Sequence, residues 1–199
     1  MLIEGSKLLN YPILSLHTAS EIGRVKRLII DPNYLKIVAF EIDASSRVGR
    51  RLFLEAGSVR EFSKIGMIID SGEEFIEKDD VIKLKEMIEL NFTLDGMRVV
   101  SRKKSMLGKV EDFTVSSDDF QIMQILVKRP IYKSLIDPEL LIGRSEIKEI
   151  NDTEIIIKSE ENTLIKKAGA QDFVPNFVNP FKNGKYIARG NNSSTMAQK

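Results

Sequence analysis

His17 is the single histidine in 199 residues, and the chain has no cysteine. Thiolate nucleophiles, disulfides and Cys-ligated zinc are excluded together. A His-paired triad or a multi-His metal site would have to be assembled around one imidazole. His17 lies in a strand-like stretch beside Thr18 and reads as a surface or rim histidine. The carboxylates of "EEFIEKDD", Glu73 to Asp80, could draw in a cation, but their spacing matches no metal loop. They read as a solvated run in which Asp79 or Asp80 caps a helix.

Phosphate chemistry has no motif of its own. The chain contains no Walker A loop, no dinucleotide-binding glycine fingerprint and no G-x-S-x-G elbow. The basic groups "RVGRR" (Arg47 to Arg51), "RKK" (Arg102 to Lys104) and "VKRP" (Val127 to Pro130) fall in expected loops or strand ends. Charge there serves solubility and edge protection, and no aromatic residues interleave with it to stack bases. Nucleic acid is therefore disfavoured as a partner, though a local patch would suffice for it. The remaining group is aromatic: Phe173, Phe177, Phe181 and Tyr186, spaced by Pro175 and Pro180. These rings need burial, either on the chain's own second half or in a groove on another protein, a second copy included. No residue is assigned a catalytic, cofactor-binding or metal-binding role.

Lys plus Arg number 30 and Asp plus Glu 29, so no net field favours nucleic acid or anionic lipid. The N-terminal "MLIEGSKLLNYPILSLHTAS" has acidic Glu4 early and no long apolar core, which argues against a secretory leader. No apolar run approaches the ~20 residues that cross a bilayer. The expectation is a cytoplasmic protein without membrane insertion.

The elements that carry these residues are written twice. "SEIGRVKRLIIDPNYLKIVAFEID" (Ser20 to Asp43) returns as "SMLGKVEDFTVSSDDFQIMQILVK" (Ser105 to Lys128). At an offset of 85, Gly23 meets Gly108, Leu9 meets Leu94, Val25 meets Val110 and Leu35 meets Phe120. At an offset of 88, Val59, Glu61, Ile68 and Ile69 meet Ile147, Glu149, Ile156 and Ile157. The extra residues fall in "KRPIYKSLIDPELL", a loop, where a duplicated domain tolerates insertion.

Within each copy, "YPILSL", "GRVKRLII", "LKIVAFEID", "RRLFLEAGSV" and "GMIID" are strand-like and separated by turn residues. Five or six strands in ~75 residues leave no room for crossover helices and predict a small antiparallel barrel. Val38, Phe40 and Ile42 alternate onto one face, as do Met123, Ile125 and Val127, so these should face inward. Gly23 and Gly108 should mark equivalent turns or bulges. The expected fold is all-β, with a first barrel over 1–75, a helical linker over 76–92 and a second barrel over 93–165. An extended tail then spans 166–199, polar and disordered from about 188. In the linker, Val81, Leu84 and Ile88 fall on one helix side.

Each copy resembles a PRC-barrel, the small barrel of the photosynthetic reaction-centre H subunit and of the bacterial ribosome-maturation factor. The likeness rests on Gly23-Arg24-Val25 and Gly108-Lys109-Val110, preceded by "LNYPILS" or "LDGMRVVS". It extends to "IVAFEID" and "IMQILVK", and to the closing "LFLEAGSVREFSKIGMIID" and "LLIGRSEIKEINDTEIIIKS". Roughly Leu8 to Asp70 and Leu94 to Ser159 are covered. The chain departs from both relatives, with two barrels and neither a membrane helix nor a different N-terminal domain beside them. The resemblance implies a non-catalytic module that docks on another protein. An RNA- or ribosome-associated assembly factor is the alternative, and an enzyme is not expected.

Overall fold

The structure, a computed structural model, describes residues 1–44, 50–77, 82–130 and 139–159, with the backbone alone at 82 and 83. The chain opens with β1 (Leu2–Glu4) and α1 (Gly5–Leu8). The first half follows as β2 (Pro12–Ser15), β3 (Ser20–Asp31), β4 (Lys36–Asp43), β5 (Leu52–Glu55), β6 (Glu61–Ser63), β7 (Gly66–Ile69) and β8 (Ile76–Glu77). After α2 (Ile82–Leu90) come β9 (Arg98–Val100), β10 (Met106–Ser116), β11 (Ile122–Lys128), β12 (Glu139–Gly143), β13 (Ile147–Ile150) and β14 (Glu154–Ile157). Val, Ile, Leu and Phe alternate with polar residues along these strands, so one face of each sheet is apolar. Phe40, Ile42, Ile125 and Val127, on β4 and β11, are buried on those inner faces, whereas Val38 and Met123 do not share them. Each of the two lies at a register shift that breaks the alternation, Val38 against the outer cluster and Met123 exposed.

The architecture is mostly β, in two seven-stranded sheets. The first has the order β6-β7-β2-β3-β4-β5-β8, and the second β13-β14-β9-β10-β11-β12 with β1 added to β10. The repeat is reproduced residue by residue. Phe40 pairs with Leu54 as Ile125 pairs with Ile142, and Glu61 with Ile68 as Glu149 with Ile156. Left-handed backbone recurs too, at Asn10 (φ 61°) and Gly96 (73°), Ala19 (49°) and Lys104 (62°), Leu35 (45°) and Phe120 (56°).

Several expectations need correction. The sheets are mixed: β2 runs parallel to β7, and β9 parallel to β14. A chain of hairpins would reverse at every step. Here the short 3-10 turns Ala56–Ser58 and Arg144–Glu146 carry β5 into β6 and β12 into β13 without pairing them, which shifts the parity. Each hydrogen-bonded path also has two ends among the described residues, so neither is a closed ring. Leu8, not Leu9, is the counterpart of Leu94, because their carbonyls accept the Tyr11 and Met97 amides; Leu9 is exposed. And β1, ahead of the first repeat, belongs to the second sheet, with Ile3 opposite Val115.

The two halves meet about a pseudo-twofold axis. The Ile37 amide donates to the Phe120 carbonyl at 3.0 Å and the Ile122 amide to the Leu35 carbonyl at 2.9 Å, a reciprocal pair of equivalent residues. Flanking contacts follow the same symmetry. Ser6 donates to Asp112 of the other half, and Arg27, the counterpart of Asp112, donates to Asn91, just ahead of the second repeat. Buried side chains from both halves form one continuous core. A second cluster on the first sheet's outer face packs Leu84 and Ile88 of α2 over Ile29, Ala39 and Phe53.

Gly23 and Gly108 do not mark turns. They sit inside β3 and β10, opposite Ile13 and Val99 beside register shifts, with no left-handed φ. What requires glycine is close approach of the next strand. A Cβ on Gly108 would lie 2.2 Å from the Lys128 carbonyl oxygen, and one on Gly23 2.8 Å from Ile42 Cγ2 and 3.1 Å from the Asp43 oxygen. A methyl end can yield more readily than backbone. Gly108→Ala should therefore cost about 1–3 kcal/mol, and Gly23→Ala distinctly less. Paired denaturant melts check this, and equal small losses would contradict it.

Candidate interaction surfaces

A cleft of about 610 Å³ opens where the β10–β11 turn of the second half meets β6 of the first. Its floor is apolar, with Val38, Val59, Phe62 and Phe120. The rings are locked in a ladder: Tyr11 stacks on Phe62 at 4.8 Å, and Phe120 meets Phe62 and Phe40 edge-on at 6.4 and 5.2 Å. Such offset and T-shaped pairs are the favoured aromatic geometries and hold the floor rigid. The Tyr11 hydroxyl donates to the Ser63 carbonyl and fixes the end of β6.

The rim carries charges of both signs, Lys36 and Arg60 against Glu61, Asp118 and Asp119. Asp119 accepts the Gln121 amide at 3.2 Å. That bond, the Ser116 side chain and the charge of Lys36 hold its carboxyl below the usual range. β6 is the terminal strand of its sheet, so one side of its backbone has no strand partner among the described residues. An edge of this kind can take another strand.

The pseudo-twofold axis generates a counterpart cleft, and it is much smaller. Pro32, Asn33 and Leu35 face Arg144 and Ile147 to Ile150 around only about 210 Å³. Among the residues that differ between them, one crosses the cleft. Arg144 extends its guanidinium to donate to the Leu35 carbonyl at 3.0 Å, whereas the first half has Ala56 there. Arginine fills one cleft and alanine leaves the other open.

A separate charged cluster lies on the first sheet's outer face. Glu41 is buried and accepts from Arg27 Nε and from Arg51 at 3.0 Å each, with Lys26 Nζ at 3.6 Å. Burial pushes the Glu41 carboxyl up, but the Arg51 and Arg27 hydrogen bonds and charges outweigh it and hold the pKa below the ordinary value. Arg51 also lies over the Phe53 ring at 5.7 Å. In the second half Leu126 replaces Glu41 and Asp112 replaces Arg27, so the cluster belongs to one copy.

The residues singled out in the sequence are not drawn together. His17 is exposed in the turn after β2, its amide bonded to the Asp70 carbonyl. Glu74 of the acidic run completes a capping box with Ser71; Asp79, Asp80 and Val81 lie outside the described residues. Phe173, Phe177, Phe181 and Tyr186 also lie outside them. Among the described residues no group of carboxylates or histidine is arranged to hold a metal, and no helix is long and apolar enough to cross a membrane. No protein-family model matches the chain, and no curated protein is significantly similar to it. The cleft was not marked by any motif; its signal was Ala56 opposite Arg144 at the offset of 88.

A carboxyl whose folded pKa is depressed adds stability above its unfolded value of about 4.3 and loses it as pH falls through the lower folded value. Glu41→Gln should therefore melt below the parent at pH 7, with the gap narrowing as acid protonates the parent's Glu41. Thermal melts across that range test this, and a gap independent of pH would contradict it.

Proposed function

We propose that this chain is a non-catalytic protein-binding or adaptor module in which two PRC-barrel-like units frame a cleft for an extended segment of a partner protein. The observation that carries the reading is the cleft beside β6, with a rigid aromatic floor, a rim of both charges and an open strand edge. Strand addition uses these parts: the edge supplies main-chain hydrogen bonds, and the floor takes alternate side chains. The rim of mixed sign favours a polypeptide over a polyanion. The cytoplasm is the setting this reading assumes.

An RNA- or ribosome-associated role draws less support. Arg50, Arg51, Lys104 and Lys128, from the three basic groups, are each engaged by a carboxylate: Glu77, Glu41, Glu154 and Glu111. Phosphate contacts would have to displace these pairs.

Ala56→Arg places in the open cleft the residue that fills its counterpart. Affinity capture with parent and variant, read by mass spectrometry with melts as the folding control, is the test. Partners held by the parent should be lost by the variant, and also by the exposed-rim variant Glu61→Lys. Undiminished capture by both variants would overturn the reading, and salt-sensitive retention of RNA in place of protein would favour the alternative.

A further inference from the structure

The outer faces of the two sheets are unequal in a way the repeat makes explicit. On the first sheet, Phe53 is fully buried beneath α2 and beside Ile76. Its counterpart on the second sheet, Leu141 of β12, is 47% exposed. Met123, the counterpart of Val38, is 38% exposed, and Leu2 of β1 on the same face 56%. Three of the nine exposed large hydrophobic residues among those described share this one face. Scattered apolar residues need no explanation, but these share a face whose counterpart on the first sheet is covered.

The edge beside that face also has no strand partner among the described residues. In the first sheet β8 covers β5, with Phe53 opposite Ile76 and Leu52 opposite Glu77. In the second sheet β12 is terminal among the described residues. The described chain ends at Ser159, the repeat position of Ser71, with the Lys158 amide bonded to the Glu146 carbonyl. From Ser71 the first half needs five residues to reach Ile76, and five residues beyond Ser159 stand Leu164 and then Ile165. At the offset of 88, Leu164 and Ile165 match Ile76 and Glu77, which stand opposite Phe53 and Leu52, the counterparts of Leu141 and Leu140. Farther on, Phe173 and Phe177 stand four residues apart, like Leu84 and Ile88 of α2.

We propose that the chain's own residues 160–178 occupy this face, with Leu164 and Ile165 adding antiparallel to β12 and the Phe173–Phe177 segment crossing β10, β11 and β12. Closure within the chain is favoured over a second copy because the connection has the length that the first half already uses. The peptide-binding cleft beside β6 lies elsewhere and is left open by this arrangement.

The chain has no cysteine, so a pair introduced by Leu141→Cys and Leu164→Cys reports one contact without background. Residues directly opposite on antiparallel strands bring their Cβ atoms within about 5 Å, close to disulfide range. In the full-length protein, mild oxidation should close this disulfide within one chain, seen by mass spectrometry and as monomer on a non-reducing gel. Hydrogen exchange on the unsubstituted protein should show slowed amides at 163–166. A disulfide between chains would overturn the proposal in favour of a second copy. It would also be overturned by thiols alkylated as fast as one at exposed Tyr34, or by exchange at 163–166 at the unstructured rate.

Discussion

The two hydrogen bonds that join Ile37 to Phe120 and Ile122 to Leu35 set the relation of everything else. Each tightens a turn whose last residue is large, apolar and left-handed, Leu35 with φ 45° and Phe120 with φ 56°. That backbone costs a bulky residue about 1–2 kcal/mol, and it persists where surrounding contacts over-determine it. Here they do. Both side chains are buried, Phe120 among Phe40 and Phe62, and each turn supplies the carbonyl the other's amide needs. Neither half retains these contacts without its partner, which ties the fold of one repeat to the presence of the other.

Around that fixed axis the two copies have diverged in charge and not in register. The Arg27–Glu41 pair of the first sheet faces Asp112 and Leu126 at the same places in the second. A bulky guanidinium on Arg144 stoppers one cleft, and a methyl on Ala56 leaves the other open. Symmetry of the backbone thus generates two candidate surfaces, and side-chain differences between the copies set how much space each holds. The aromatic ladder from Tyr11 to Phe40 gives the open one a floor too well packed to collapse.

Much of this was legible from local pattern. Alternation along "IVAFEID" placed Phe40 inward, and the ordered offsets matched strand to strand, because face and turn chemistry are local properties. Partner choice is not. Nothing in Leu2-Ile3-Glu4 marks a strand whose partner, Val115, lies more than half the chain away. The parallel pairs escaped for a related reason: one unreversed step at Ala56–Ser58 changes the sense of β6 and β7 without altering their alternation. Gly23 and Gly108 were recognised as special, but glycine signals both turns and close approach, and only the neighbouring strand distinguishes them. The cleft was the least visible feature, since its walls come from both repeats and its key difference, Ala56 against Arg144, acquires meaning only once Arg144 reaches Leu35.

The reciprocal bridge is tested most directly by amide hydrogen exchange at Ile37 and Ile122, followed by NMR in the full-length protein. Both amides should exchange slowly and at matching rates, opening together with the buried strand amides of β4 and β11, because one cooperative unit holds them. Rapid exchange at both while β4 and β11 stay protected would contradict the arrangement, since the halves would then be folded without being joined at this axis.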